Sequence, residues 1–314
     1  MSKNKKLRVF EAFSGYGSQS IALRNIGIPY EVVAISEIDK YAIKAYEAIH
    51  GKVNNLGDIS QIKVEDIPEH DLFTYSFPCQ DISMAGKQAS LEEGSGTRSS
   101  LLWECKKIIE YCKPKYLLME NVKNLVGKKH KPYFDKWLDY LESLGYTNYW
   151  KVLNAKDYGV PQNRERIFVV SILGEHNPYE FPNKVELSTT VFDLLETNIP
   201  NKYNMSNKCI DKMKRFQPKN ITRDCLLKPI APTLTTELAH HTGKNFYPKM
   251  CMILNEYRRL TPKESFRIMG MNDMDILKIQ SCGISDTQQY KMAGNSIVVQ
   301  VLEAIFKNLF ISLI

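Results

Sequence analysis

The stretch Phe73-Thr-Tyr-Ser-Phe-Pro-Cys79-Gln-Asp-Ile-Ser83-Met-Ala-Gly86-Lys-Gln88 decides how this chain is expected to fold. It opens as an apolar, aromatic run typical of a buried strand, which Pro78 then breaks. Cys79 therefore follows a predicted strand end, at the start of a polar loop. Ligands of open α/β sheets bind beyond the carboxyl ends of the strands, so a thiol here is accessible to a substrate. We predict that Cys79 is a catalytic nucleophile; the alternative is a small buried hydrophobic residue.

The N-terminal segment predicts the first unit of a nucleotide-binding α/β domain. Leu7–Phe13 is a predicted strand, and a turn containing Gly15 and Gly17 separates it from a predicted helix. Glycines let the main chain approach a ligand closely because they have no Cβ. The full dinucleotide pattern is missing because its last position is Ser20, so an ordinary tight turn is an equal alternative.

Two carboxylates stand where a nucleotide-binding fold would place ligand contacts. Glu37 ends the predicted strand Tyr30–Ser36, about 20 residues after the glycines, where such folds place the carboxylate that binds ribose hydroxyls. Asp58 follows a glycine turn and suits a hydrogen bond from an adenine amino group. The alternatives are a surface Glu that opens a helix and an ordinary Asx-turn.

A third carboxylate, Glu120, follows the predicted strand Tyr116–Met119, on the sheet edge expected to carry Cys79. Further along, Arg164 and Arg166 alternate and are expected to project from one side of an extended strand. Two guanidinium groups on one face suit a phosphate or a base carbonyl. For either arginine alone, a solvated basic edge is the alternative.

Composition excludes several classes of protein. The 314 residues are 43% hydrophobic and 25% charged, which is typical of a soluble globular protein. A net charge of +7 weakly favours an acidic partner such as nucleic acid. The seven cysteines include no C-x-x-C pair, which argues against a disulfide framework or a zinc site and favours a reducing cytoplasm. The apolar residues 296–314 are interrupted by polar ones and predict an amphipathic or buried helix rather than a membrane span.

The sequence pattern changes near residue 176, where the regular alternation of predicted strands and helices stops. Residues 176–257 are rich in proline and in short apolar runs, which predicts a smaller domain of loops and short strands. The sequence Thr261-Pro-Lys-Glu264 then predicts the start of a helix with a capping box. The predicted organisation is an α/β domain at 1–175, the smaller domain at 176–257 and a return to the first domain at 258–314.

Taken together, short blocks in this order resemble the cytosine-5 DNA methyltransferases. The matching blocks are Phe13-x-Gly15-x-Gly17, Glu37, Gly57-Asp58-Ile59, Phe77-Pro78-Cys79-Gln80, Glu120-Asn121-Val122, Gln162-x-Arg164-x-Arg166, Arg259-Leu-Thr-Pro-x-Glu264 and Gly294-Asn295-Ser296. Each block is a common short string, but their order and spacing together are specific. The chain departs from the family pattern at Ser76, at Ser99 and at Ile38, which stands where the family has an aromatic residue.

The resemblance implies a Rossmann-like S-adenosylmethionine-dependent methyltransferase fold in which residues 176–257 form a target recognition domain. It implies methyl transfer to carbon 5 of a flipped-out cytosine in double-stranded DNA, with S-adenosylhomocysteine as product. The implied catalytic residues are Cys79, Glu120, Arg164 and Arg166. The implied cofactor contacts are Phe13, Gly15, Gly17, Glu37, Ile38, Asp58, Ile59, Pro78, Leu101, Asn295 and Ser296. The implied DNA contacts are Ser83, Lys87, Gln88 and Thr235.

In that chemistry Cys79 adds to carbon 6 of the base, and Glu120 acts at N3. Arg166 donates to O2, while Arg164 supports the loop or a phosphate. The resemblance also implies a monomer in the cytoplasm of a bacterial or phage-infected cell, with a cognate restriction endonuclease as genetic partner. A tRNA cytosine-5 methyltransferase is the alternative within the family. A binding protein without turnover and a nicotinamide-dependent oxidoreductase are the alternatives outside it.

Overall fold

The computed structural model describes residues 5–78, 101–208, 210–211, 228–236, 252–253 and 256–310. The predicted site residues Cys79, Ser83, Lys87 and Gln88 lie outside this part of the chain. The chain divides into two compact units. The first comprises Met1–Asn154, Glu165–Asn183 and Val301–Ile314, and the second comprises Ala155–Arg164 and Lys184–Gln300.

The first unit is built on a mostly parallel sheet. Its strands are β1 (Leu7–Ala12), β2 (Tyr30–Ser36), β3 (Leu72–Tyr75), β4 (Tyr116–Val122), β5 (Tyr146–Asn154) and β7 (Glu165–Leu173). The six strands lie in the order β2-β1-β3-β4-β7-β5. β1 to β4 are parallel, whereas β7 is antiparallel to both of its neighbours. This order, with β1 inside the sheet, confirms the predicted Rossmann-like α/β fold.

Helices connect the parallel strands as the alternating sequence pattern predicts. The α-helices among the described residues are α1 (Ser18–Asn25), α2 (Lys40–His50), α3 (Leu102–Cys112), α4 (Lys131–Ser143), α5 (Pro262–Ile268), α6 (Asp273–Ser281), α7 (Asp286–Asn295) and α8 (Val299–Leu309). α6 and α7 were not predicted from the sequence. α8 buries Leu302, Ile305 and Phe306 and exposes Lys307. No helix in the described ranges is long and apolar enough to span a bilayer.

The core of the first unit lies where β3 meets α3 and α4. All of β3 is buried, as the apolar run predicts. Phe73 and Tyr75 stack with ring centroids 5.2 Å apart, and the Trp137 indole donates to the Tyr75 hydroxyl at 3.2 Å. Fully buried aromatic side chains of this size contribute roughly 2–3 kcal/mol each. The sheet therefore forms a rigid platform that fixes the carboxyl ends of β1, β2 and β4.

The second unit consists of short elements, as its composition predicts. β6 (Gln162–Asn163) pairs in parallel with β8 (Ala231–Pro232), and β9 (Met252–Ile253) pairs antiparallel with β10 (Glu256–Tyr257). The compact units do not follow the boundaries predicted from the sequence, because α5 to α7 belong to the second unit. Hydrogen bonds explain this grouping: Glu264 accepts from the Glu196 main chain, and Arg267 donates to the Leu194 carbonyl. The functional division at 176 and 257 stays a prediction.

The predicted capping box at the start of α5 is confirmed. Thr261 Oγ1 accepts from the Glu264 main chain at 3.1 Å, and Glu264 accepts from the Thr261 main chain at 2.8 Å. Glu264 also forms a two-bond ion pair with Arg258, with both distances 2.9 Å and both residues buried. Burying a carboxylate in its charged form is costly unless its oxygens are paired in this way.

Candidate active site

Two polar side chains are buried at the carboxyl end of β4. Glu120 is 8% exposed and Asn121 is 2% exposed. β4 runs past the predicted strand end because β7 pairs with it along its whole length. Asn121 donates from Nδ2 to the carbonyl oxygen of Phe77 at 3.0 Å. This bond holds the end of β4 against the segment that leads into Cys79. No separate role was predicted for Asn121.

Arg166 lies near the start of β7, directly across from Val122. Its Nε is 3.2 Å from Oε1 of Glu120, and the two side chains are only 16% and 11% exposed. With little water around it, such a pair interacts more strongly than an ion pair at the surface. The site thus presents a carboxyl and a guanidinium group side by side. Together they suit a planar ring that carries both an amino group and a carbonyl.

The turn after β1 has an unusual main chain. Phe13, Gly15 and Gly17 all have left-handed conformations, with φ of 55°, 57° and 82°. Such a conformation is strained for any residue that has a Cβ, and therefore for Phe13. A hydrogen bond from the Phe13 main chain to the Ser36 carbonyl, at 2.8 Å, holds it in place. The predicted glycine turn is therefore present at the carboxyl ends of β1 and β2.

Glu37 organises this turn. Its Oε2 accepts from the Gly15 main chain at 2.9 Å, and its Oε1 accepts from the main chains of Ile38 and Asp39 at 2.8 Å each. Glu37 was proposed from the sequence for ribose binding, but its bond to the Gly15 main chain was not predicted. That contact leaves no signal in the sequence, because only the fold brings the two turns together.

Asn55 joins the loop after β2 to the turn that carries Asp58. Asn55 Oδ1 accepts from the main chains of Glu37 and Gly57 at 3.2 and 3.0 Å, and its Nδ2 donates to the Glu37 carbonyl at 3.0 Å. Asp58 is exposed, and its Oδ1 accepts from the Ser60 main chain at 2.9 Å. The Asx-turn alternative for Asp58 is therefore present. The role of Asn55 was not predicted.

Close packing surrounds Gly17. A Cβ at this position would lie 2.6 Å from Tyr46 Cε2 and 2.6 Å from His50 Nε2. The His50 ring nitrogen is hydrogen-bonded to the Tyr16 carbonyl at 3.1 Å. The glycine is thus required by space as well as by its positive φ, which fixes the path of the turn.

Beneath the turn, β1 carries the fully buried carboxyl group of Glu11. Ser20 Oγ donates to its Oε1 at 2.7 Å, while Oε2 has no hydrogen-bond partner. Burial raises the pKa of Glu11 from 4.5 to about 7, against the opposing effect of the nearby Ser20 and Tyr46 hydroxyl groups. The sequence did not single out this residue.

The other predicted cofactor contacts of the first unit differ in exposure. Ile38 is 72% exposed and so is accessible to a ligand. Ile59 is buried in the hydrophobic core. Pro78 and Leu101 are half-buried, and Leu101 packs against the same core.

In the second unit, Arg164 is only 4% exposed. Its guanidinium donates to the carbonyl oxygens of Leu234, Gly294 and Ser296 at 2.9, 3.0 and 2.8 Å. The two arginines expected on one face of a strand therefore have different partners, carbonyls for Arg164 and a carboxylate for Arg166. The physical reason is that the extended segment is interrupted between β6 and β7.

Gln162 adds to this arrangement and had no predicted role of its own. It is fully buried, donates to the Ile268 carbonyl at 2.9 Å and accepts from the Leu234 main chain at 3.1 Å. The side chains of Thr235 and Asn295, predicted to contact DNA and cofactor, are both exposed. The arrangement fixes main chain while it leaves these two side chains accessible.

The chain is similar to known proteins along nearly its whole length. Residues 7–311 match the family model described as C-5 cytosine-specific DNA methylase. Type II methyltransferase M2.ScrFI of Lactococcus lactis subsp. cremoris is 44% identical, over 97% of this chain and 99% of that protein. Type II methyltransferase M.NlaX of Neisseria lactamica is 33% identical, over 95% of this chain and 94% of that protein.

Solved structures share the fold. The methyltransferase Dnmt2 of S. pombe superposes with a TM-score of 0.75 at 20% identity, covering 98% of this chain and 99% of that one. The methyltransferase EhMeth of Entamoeba histolytica gives a TM-score of 0.78 at 21% identity, covering 99% and 100%. These likenesses confirm the predicted fold class.

Proposed function

This chain belongs to the C-5 cytosine-specific DNA methylase family, and on that premise we propose that it methylates carbon 5 of a cytosine within a specific sequence of double-stranded DNA. The observation that carries the proposal is the buried pair of Glu120 and Arg166, next to the bond between Asn121 and Phe77. The similarity to type II methyltransferases supports a place in a restriction-modification system. A cognate restriction endonuclease would then be its genetic partner, and we propose a monomer that acts on DNA in the cytoplasm.

The turn after β1 fits S-adenosylmethionine as the methyl donor. A Cβ at Gly15 would meet no atom within 4 Å, so the main chain there borders open space. Glu37, which binds the Gly15 main chain, and the exposed Ile38 offer a carboxylate for ribose hydroxyls and an apolar surface for adenine. When bound, this cofactor supplies a sulfonium methyl group. The proposed contacts are Phe13, Gly15, Gly17, Glu37, Ile38, Asp58, Ile59, Pro78, Leu101, Asn295 and Ser296.

Carbon 5 of cytosine is a poor nucleophile, and the proposed chemistry activates it through carbon 6. The Cys79 thiolate forms a bond to carbon 6, and the electron pair of the 5,6 double bond moves to carbon 5. In its protonated form, Glu120 donates a hydrogen bond from its carboxyl group to N3, and its other oxygen accepts one from the N4 amino group. Arg166 donates to O2, where negative charge develops. The pairing of Glu120 with Arg166 keeps both groups in place before the base arrives.

Carbon 5 then takes the methyl group and still carries its hydrogen. A base removes that proton, the electron pair re-forms the 5,6 double bond, and the bond between sulfur and carbon 6 breaks. A stacked base does not expose carbon 6 to a thiolate, so the cytosine has to leave the duplex. We propose that Ser83, Lys87, Gln88 and the exposed Thr235 contact the DNA around the extruded base.

Replacement of the proposed nucleophile gives the first test. We expect Cys79→Ser to retain binding of S-adenosylhomocysteine and duplex DNA while losing most turnover, because the hydroxyl is a far weaker nucleophile than a thiolate. Transfer of a tritiated methyl group to DNA measures the turnover, and equilibrium titration measures the binding. A variant that transfers methyl groups at the wild-type rate would refute the role of Cys79.

Replacement of the proposed proton donor gives the second test. Glu120→Gln keeps the shape of the side chain but cannot donate an acidic proton, so we expect the single-turnover rate to fall about a hundredfold. Glu110→Gln, on the exposed face of α3, is the matched control and should leave the rate unchanged. An unchanged rate in Glu120→Gln would reject the assignment.

The substrate itself is tested in cells. Bisulfite sequencing of DNA from a host that expresses the chain should show 5-methylcytosine at one short sequence. Methylated tRNA together with unmodified DNA would instead favour the tRNA alternative. Exchange of residues 176–257 for those of a relative should change the methylated sequence, because base contacts and not phosphate contacts specify sequence.

A further inference from the structure

One side chain joins two functional segments of the second unit. The guanidinium of Arg164 binds the Leu234 carbonyl on one side and the carbonyls of Gly294 and Ser296 on the other. Gly294 and Ser296 flank Asn295, a proposed cofactor contact. Leu234 immediately precedes Thr235, a proposed DNA contact. A planar guanidinium holds such bonds in fixed directions, so it transmits a displacement of either segment to the other.

The two segments are also in direct contact. A Cβ at position 294 would lie 2.6 Å from the Thr235 carbonyl carbon and 2.6 Å from the Thr236 main-chain nitrogen. Gly294 is therefore required for close approach of the two main chains. Because no space separates them, neither segment can shift without the other.

Other bonds anchor the recognition segment Thr233–Thr236 at its start. Thr233 Oγ1 donates to the Asn163 carbonyl at 2.8 Å, and the Leu234 main chain donates to Gln162 at 3.1 Å. The side chain of Thr235 remains exposed, as does that of Asn295. The network thus fixes the main chain around two side chains that are accessible to ligands.

We infer that Arg164 is a positioning residue that couples cofactor binding to DNA binding through these carbonyls. The inference rests on the proposed function, which assigns Asn295 to the cofactor and Thr235 to DNA. A ligand that shifts the turn at 294–296 toward its bound position shifts the segment at 233–236 with it, so the second ligand meets a main chain that is already displaced toward its own bound position. Linkage requires the effect to be reciprocal: each ligand raises the affinity for the other by the same factor.

The test is a binding cycle with S-adenosylhomocysteine and a duplex that carries the methylated sequence. The Kd of each ligand is measured alone and in the presence of the other. In the wild-type protein, we expect each ligand to lower the Kd of the other at least about fivefold. In Arg164→Lys this factor should fall toward one, because a single ammonium group cannot bridge three carbonyls as the guanidinium does. Arg267→Lys, in the same unit but bonded to Asp273 and Leu194, is the matched control and should keep the wild-type factor.

Gly294→Ala disturbs the contact between the same two segments and should also lower the coupling factor. It provides the test if Arg164→Lys does not fold. A coupling factor that stays at the wild-type value in either folded variant would overturn the inference, as would a wild-type protein that binds both ligands independently. A wild-type protein that binds neither ligand would instead reject the proposed function. The two failures are therefore distinguishable.

Discussion

Glu11→Gln should change how the stability of the first unit depends on pH. The Glu11 carboxyl is fully buried, with one oxygen bonded to Ser20 and the other without a hydrogen-bond partner. Burial raises its pKa from 4.5 to about 7, so the folded state holds its proton more tightly than the unfolded state. The stabilisation from the neutral carboxyl is therefore complete below about pH 4.5 and is lost as pH rises through about 7.

The size of the effect follows from the two pKa values. Since one pKa unit corresponds to about 1.4 kcal/mol, a rise from 4.5 to about 7 amounts to roughly 3 kcal/mol. Most of this is lost between about pH 5 and pH 8. Glutamine is neutral throughout and its carbonyl can still accept from Ser20. The unfolding free energy of the variant relative to wild type should thus rise by about 2–3 kcal/mol across that range.

Urea unfolding followed by tryptophan fluorescence measures this difference. All three tryptophans, at positions 103, 137 and 150, belong to the first unit, so the signal follows the unit that contains Glu11. Glu31→Gln, exposed on the neighbouring strand β2, is the matched control. Parallel stability curves for Glu11→Gln and wild type from about pH 5 to pH 8 would refute the desolvation of the Glu11 carboxyl.

Two further substitutions test the turn and the buried ion pair. Gly17→Ala places a Cβ against Tyr46 at a positive φ, and should weaken binding of S-adenosylhomocysteine by about tenfold or more in a calorimetric titration. Gly27→Ala has a similar φ but open space, so it should cost about 1 kcal/mol of stability and leave that affinity intact; equal losses would contradict the steric account. Glu264→Gln leaves Arg258 buried without its charged partner and should lower the unfolding free energy by about 3–5 kcal/mol, measured in urea. A loss below about 1 kcal/mol would show that the pair behaves like one at the surface.

The sequence was sufficient for features that depend on neighbouring residues. Apolar runs and turn residues located β1 to β4 and the helices between them, and the capping box at Thr261 followed from its spacing. The same local signals placed the Gly15 turn, Glu37 and Glu120 at strand ends, because parallel strands joined by helices bring their carboxyl ends to one edge. The helices α6 and α7 were not predicted, because they carry only a weak amphipathic pattern.

By itself the sequence determined the order of the elements and the residue types at their ends. Only the tertiary structure decided which of those residues meet. Arg164 and Arg166 look alike in the sequence, yet one binds three carbonyls and the other a buried carboxylate. The roles of Asn55 and Asn121 likewise depend on loops that come together only in the folded chain. The physical reason is that hydrogen-bond partners distant in the sequence are set by strand register and by close packing, which no local pattern encodes.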